Sequence, residues 1–483
     1  MKTNKGPCSK SYYLKIAVFF LIMYGFGFLP ALEPLTPMGM KVIGIFLGLI
    51  FAWTTLGLLW PSIAGLLTLV ILDTMDLNTA FALGWGSNTL LLILFMTIIA
   101  AIVEQSGVSQ FIAMWFISRK SIQGKPWLFI FVFLFATMVL SAVTSTIPAI
   151  LICWSILYSI CNQIGYQPKD AFSSFMVVGI VATAALGLGL FPFKTIGITV
   201  FGVLENMTGL TVDYLTYVLF TLPIATLCII VFVLVARWGL RVDVSKLVAF
   251  KAENLAECHA KLDKKQRIIL GFIVVLIILL LVPSVLPETF ILSVILNKIQ
   301  AAGIAMCLVA VMCCLRIDGS ALVDFKEIAS KGMQWDVIFL VSVVMPLSTA
   351  ITSDATGITE FLLNVFGPLF SGRTTNVFLL IVALITILLS NIILQSIAGA
   401  ILLPVFYSFA MELGIHPLAL TSLIVFVCHF GLITPAASPM AALMHGNSDW
   451  LKMSDVYKYS IASILSSALV SCVIGIPYIQ IVF

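Results

Sequence analysis

"GLGLFPFKTIGITVFG", residues 187–202, decides how this chain is read. Lys194 stands inside an apolar stretch that Gly187, Gly189, Pro192 and Gly197 interrupt. A charge within a hydrophobic span costs roughly 2.5–3.5 kcal/mol on insertion scales and usually marks a site. A lysine snorkelling to an interface is the ordinary alternative. Gly202, at the outer end of the span, is eight residues away, and the helix rise makes that roughly 12 Å, more than a lysine stem bridges. No acid occurs in the segment to neutralise the charge.

Around this segment the composition is that of an integral membrane protein. Of 483 residues, 61% are hydrophobic and 10% charged, and the mean hydropathy is +1.17. Soluble domains carry about 25% charged residues. Runs long enough to cross a bilayer as helices include 12–29, 38–59, 86–107, 213–236, 266–284 and 456–482. The first lacks a small-residue cleavage site and reads as a first span, not a cleavable signal. Eight of the ten cysteines lie in or beside spans and none forms a CxxC pair, so they read as small apolar fillers. Lys and Arg crowd the loops assigned to one side, Lys10, Arg119, Lys169, Arg237, Lys265 and Lys452 among them. Only Lys41, Lys298 and Arg373 fall on the other, which puts the N-terminus in the cytoplasm. The net charge of +4 then reports topology, not nucleic-acid binding. The chain has no Walker A sequence, and its spans hold no HExxH, GxSxG or paired carboxylates. That argues against an ATP-driven pump and against an intramembrane enzyme.

The polar segment 238–265 divides the membrane region in two. The resulting plan is an N-terminal segment and first span (1–37), a first inverted repeat (38–237), a cytoplasmic linker (238–265) and a second inverted repeat (266–482). Each half holds an apolar stretch with a polar centre: 126–163 around "LSAVTSTIPAI" (140–150), and 375–413 around "LLSNIILQSIAGAILL" (388–403). Both read as re-entrant helical hairpins, because polar backbone at membrane depth needs protein or a water-filled cavity around it. The two align without gaps, Ser145 with Ser396, Ala149 with Ala400 and Leu151 with Leu402. A span broken at its centre follows each: 171–202, and 415–446 around "GLITPAASPMA" (431–441). Paired breaks in corresponding positions are the best sequence pointer to a transporter's binding site. Unwound turns leave helix N-termini free to face an anion. The predicted fold is an all-α polytopic membrane protein of two inverted repeats, each with a re-entrant hairpin and a broken transmembrane helix.

"GIFLGLIFAWTTLGLLWPSIAGLL" (44–67), "FPFKTIGI" (191–198) and "ITPAASPMAALMHG" (433–446) resemble the divalent-anion:sodium symporter (DASS) family of the ion-transporter superfamily, over about residues 38–482. Thr434, Pro435 and Pro439 match the family's second break, with Ser438 standing for a threonine; Pro192 and Thr195 match the first. The family carries Ser-Asn-Thr at both hairpin tips. Aligned on Pro404, the equivalents here are Val143-Thr144-Ser145 and Leu394-Gln395-Ser396, and the asparagine that ends each break is replaced by Ile198 and Ala441. Lys194 stands where the family often has glycine. The literal Ser87-Asn88-Thr89 precedes a plain span, and Ser87 reads as its N-cap.

The expected substrate site is therefore Thr144, Ser145 and Thr146 with Lys194 and Thr195 from the first half. Gln395, Ser396, Thr434 and Ser438 complete it from the second. A sodium ion near Ser145 and Ser396 is the one metal expectation, and no cofactor is expected; the coupling ion is Na+ or H+. Glu104 and Asp336 read as structural acids at span ends, and His429 as a buried histidine or a proton carrier. The resemblance implies a secondary active transporter of di- or tricarboxylates, elevator-type, in the cell membrane and homodimeric. The lost asparagines and the gained lysine point to sodium coupling weakened or replaced. The alternatives are an inorganic-anion carrier of the sulfate type and, further off, a membrane channel or enzyme.

Overall fold

The computed structural model describes residues 10–117, 124–249, 262–287, 289–317, 319–370 and 372–483. The centre of the polar linker (250–261) lies outside the described residues, as do Lys2, Lys5, Arg119 and Lys120. Among the described residues, twelve helices are long and apolar enough to cross a membrane. Among the described residues, strand is confined to a two-residue ladder, Arg316–Ile317 with Ser320–Ala321.

Capping side chains set several of the boundaries. Thr36 accepts from the Gly39 N–H at 3.1 Å and Pro37 opens the helix Pro37–Thr55. Ser87 accepts from the Leu90 N–H at 3.2 Å, so the Ser-Asn-Thr there is a cap, as the sequence predicts. Asp263 and Gln266 form a reciprocal capping box at the start of Lys264–Val285. That helix leaves Val274, Val275 and Ile278 exposed, the pattern of a lipid-facing surface.

The order of elements repeats. In the first half, Asn88–Ser106 and the shorter Val108–Ile117 precede a hairpin, Pro126–Val143 with Thr146–Ile164. A broken span, Ala171–Leu188 with Thr195–Thr208, follows; then comes Tyr214–Leu234, which runs on into a π turn at Val235–Gly239. In the second half the same sequence is Trp335–Thr352, Ile358–Phe370, the hairpin Thr375–Ser390 with Gln395–Glu412, and the broken span Pro417–Cys428 with Pro439–Gly446. Met453–Val470 then runs on into its own π turn, Ser471–Gly475.

The broken spans occupy the centre. Every residue from Phe172 to Gly187 is buried, and so is every residue from Ala419 to Cys428. Helices without a polar face survive only when neighbours or lipid cover them on all sides. Close approach is achieved with glycine: a Cβ on Gly187 would lie 2.2 Å from the Met138 carbonyl oxygen, so the first broken span touches the backbone of its hairpin. Across the halves, Tyr158 of the first hairpin stacks on Trp450 at 3.9 Å and accepts from Asn447 Nδ2 at 2.7 Å.

Candidate functional site

The first break spans Gly189–Lys194, where the helix stops at Leu188 and restarts at Thr195. Its carbonyls are served by the neighbouring helix: Tyr217 donates its hydroxyl to the Gly189 oxygen and Thr221 to the Leu190 oxygen, both at 2.9 Å. Phe191 and Phe193 stack at 4.8 Å just before Lys194. Lys194 is the N-cap of the restarted helix, yet its side chain does not cap it; Nζ donates instead to the Thr144 carbonyl at the hairpin tip, 2.7 Å away. The first intrahelical bond is Ile198 N–H to the Lys194 oxygen, so the N–H groups of Thr195, Ile196 and Gly197 have no helical acceptor. At the tip, the helix Thr146–Ile164 also begins without a side-chain cap, at Ser145.

The second half is built from the same parts and wired differently. Thr434 Oγ1 donates to the Asn391 carbonyl at 2.7 Å, which ties break to tip as Lys194 does in the first half. Asn391 Oδ1 accepts from Leu432 N–H and Ile433 N–H, both at 2.9 Å. Gln395 Nε2 donates to the Gly431 oxygen at 2.9 Å, and Ser438 caps the helix Pro439–Gly446 by accepting from the Ala441 N–H at 3.1 Å. Most polar groups of this tip and break are thus spent on one another.

Both tips open onto one cavity of about 870 Å³. Thr144, Ser145, Thr146, Lys194 and Thr195 line it from the first half, and Gln395, Ser396 and Ser438 from the second. Thr434 is not among its lining residues; its hydroxyl is committed to Asn391. Asn88–Ser106, Lys264–Val285 and the start of Trp335–Thr352 also contribute to its lining. Glu104 and Asp336, read from sequence as structural acids, line this cavity too and are exposed. His429 does not line it: the ring is 1% exposed, its Nδ1 lies 2.7 Å from the Val425 oxygen, and a Cβ on Gly189 would sit 2.9 Å from that nitrogen. His429 therefore packs the second broken span against the first break.

Asn391 is the functional residue that sequence alignment passes over. Its signal was the literal Ser390-Asn391 pair, which alignment on Pro404 shifts out of register with the tip. An Asn391→Ala variant leaves two buried N–H groups without an acceptor, each costing about 1–3 kcal/mol. Asn391→Asp keeps the accepting oxygen but sets a second acceptor where Nδ2 donates to the Ile387 and Phe430 carbonyls. Thermal melts of the purified protein are expected to show a marked loss for both variants.

No group of three or more His, Cys, Asp or Glu residues placed to hold a metal occurs among the described residues. The oxygens a coupling cation would use at such tips are backbone carbonyls. Here the Thr144 and Asn391 carbonyls accept from Lys194 and Thr434, and the Gly431 carbonyl accepts from Gln395.

Residues 48–425 match the family model described as citrate transporter. The fold matches the crystal structure of the YdaH transporter of Alcanivorax borkumensis, with a TM-score of 0.57 and 17% identity, covering 98% of this chain and 99% of that one. An uncharacterized transporter of Synechocystis sp. is 29% identical over 117 residues, 24% of this chain. The match spans only 18% of that relative's length. The chain belongs to the citrate transporter family, in agreement with the superfamily resemblance in its sequence. It is a multi-pass membrane protein, and its family is one of transporters, not enzymes.

Proposed function

We propose that this citrate transporter family protein is a secondary active transporter that seats the head group of a small organic anion between Lys194 and the open helix ends of the first half. One observation carries the reading: Lys194, Ser145 and Thr195 line a single cavity, an ammonium beside two helix N-termini that lack side-chain caps. An ammonium has three donors, and one is given to Thr144. Each helix end adds roughly half a positive charge to what remains. A carboxylate satisfies such a set of donors. A sulfate-like oxyanion would also satisfy it, but the cavity is far larger than an inorganic anion needs.

Lys194 supplies a fixed positive charge where a bound cation would otherwise compensate the substrate. With tip carbonyls already accepting from protein donors, this supports a carrier whose sodium coupling is weakened or replaced, by exchange or by a proton. The repeated element order supports two inverted halves, 38–237 and 266–482. A cavity lined both by tips and breaks and by plain helices supports an elevator-like movement of one set against the other. A homodimer, with the N-terminus in the cytoplasm of the cell, belongs to the same reading.

Uptake of labelled carboxylates and sulfate into proteoliposomes tests it. Carboxylate uptake is expected to persist without a sodium gradient and to quicken when the lumen is preloaded with the same anion. Uptake that disappears once the sodium gradient is collapsed refutes the coupling.

A further inference from the structure

The two breaks keep their shape by different means. The second is bonded to its own hairpin tip through Asn391, Gln395 and Thr434. The first gives its tip one bond, from Lys194 to the Thr144 carbonyl, and rests on the helix that follows it, Tyr214–Leu234. Tyr214, Tyr217 and Thr221 are spaced three and four residues apart, so they share one face of that helix. The Tyr214 ring stacks on Phe193 at 6.2 Å, and the Tyr217 and Thr221 hydroxyls donate to the consecutive carbonyls of Gly189 and Leu190. Tyr217 also meets the restarted helix, edge to face with Phe201 at 5.4 Å. It therefore touches the chain on both sides of Lys194. Tyr217 and Thr221 are fully buried, and among the described residues no backbone N–H reaches either carbonyl. Leu188 and Phe191 line the cavity, whereas Gly189 and Leu190 between them do not. Non-helical backbone at membrane depth needs such protein donors. The Thr221 proton has a second acceptor, the Tyr217 carbonyl at 3.0 Å, so Tyr217 gives the firmer bond to the break.

Resting on the reading above, we infer that Tyr217 and Thr221 are positioning residues for anion transport. They pin the Gly189 and Leu190 carbonyls to the neighbouring helix, and so set where the unwound turn delivers Lys194 and the start of Thr195–Thr208. Neither lines the cavity; each acts through Lys194. A site that presents an ammonium and a helix N-terminus together depends on a supporting layer of this kind. Removing the Tyr217 hydroxyl leaves a buried carbonyl unpaired and releases the turn that carries the charge.

The test is initial uptake of labelled citrate and succinate, below saturation, into proteoliposomes of the full chain, read beside each variant's melting midpoint. Tyr217→Phe is expected to lower uptake about tenfold, one decade being the weight of a single buried acceptor left unpaired. Thr221→Val is expected to lower it less, and Thr221→Ser, which keeps the hydroxyl, to retain it. That pair gives the same reading if Tyr217→Phe does not fold. Tyr459→Phe is the matched control: its buried side chain donates to the Ala171 carbonyl, 3.2 Å away, at the other end of the helix that leads into the break. This variant should melt lower and keep its uptake. In a Lys194→Met background Tyr217→Phe is expected to add little, because residues that act through one another are not additive. Loss by the same factor in both backgrounds overturns the inference, and so does full uptake in Tyr217→Phe. Both results leave the anion-carrier reading standing, since Lys194→Met alone is still defective in them. Uptake of neither probe by the wild type, or undiminished uptake in Lys194→Met, overturns that reading and the inference with it.

Discussion

Replacing Lys194 by methionine is expected to lower anion uptake about 100-fold while the protein still folds. Truncating one partner of a buried, hydrogen-bonded charge pair costs about 2–5 kcal/mol, and ~3 kcal/mol is two decades at 1.4 kcal/mol per decade. Substrate is the partner in question, since among the described residues Nζ gives one bond to protein, to the Thr144 carbonyl. Losing that bond removes about 1.5–3 kcal/mol from the contact between tip and break. The loss is local, because Ser141 still donates to the Ala184 oxygen at 2.7 Å and holds the same two elements together. Methionine keeps an unbranched stem of similar reach, which separates the charge from its packing. Lys194→Arg keeps the charge with a different donor geometry and should fall between the two. Uptake in proteoliposomes, read beside the melting midpoint of each variant, distinguishes a binding role from a structural one. Full uptake in Lys194→Met would make the lysine a packing element and remove the proposed site.

Much of this was legible in the chain because glycine, proline and charge are conspicuous in apolar sequence. The helix predicted to break across 187–202 does stop at Leu188 and restart at Thr195, where Pro192 and the glycines interrupt it. The hairpins predicted for 126–163 and 375–413 turn at Thr144–Ser145 and at Asn391–Leu394, where hydroxyls and amides interrupt the apolar run. Both predicted tips line the same cavity. What stayed hidden was which polar groups face ligand and which face one another. Thr434 matches a family motif, yet its hydroxyl goes to the Asn391 carbonyl, a contact between residues 43 apart that no local pattern announces. Asn391 was masked by alignment on Pro404, since the second tip takes more residues to turn than the first. Glu104 and Asp336 look like ordinary span-end acids. Their place on the cavity depends on how two helices from different halves are set against the tips, which is a matter of tertiary packing.

Gly187→Ala and Gly431→Ala are expected to be the most damaging single-methyl additions in the chain's centre. Gly187 lies in the helix that leads into the first break and Gly431 within the second break. A Cβ at Gly187 would stand 2.2 Å from the Met138 carbonyl oxygen, and one at Gly431 would stand 2.2 Å from the Ser390 carbonyl oxygen. Both obstacles are helix backbone, so no rotamer change relieves them, and the broken span must move away from its hairpin. Overpacking a tight interior costs typically 1–3 kcal/mol even where side chains can shift, and rigid backbone puts these two sites at or above the top of that range. The helical contacts of a membrane protein depend on such close approach, since lipid competes equally for apolar side chains. At Gly431 the damage reaches the site directly, because the new methyl would also lie 3.0 Å from Gln395 Nε2, the group that binds the Gly431 carbonyl. Gly271→Ala is the matched control: it lies in the helix Lys264–Val285 with nothing within 4 Å of the added carbon. That variant should be neutral or slightly stabilising, as alanine restricts the unfolded chain more than glycine does. Melts of the three variants in detergent should show midpoints lowered by several degrees, or loss of the monodisperse protein, at 187 and 431 and no loss at 271. Equal melting of all three would mean that hairpins and broken spans are not packed backbone to backbone, and the tips would then have no fixed position from which to hold a substrate.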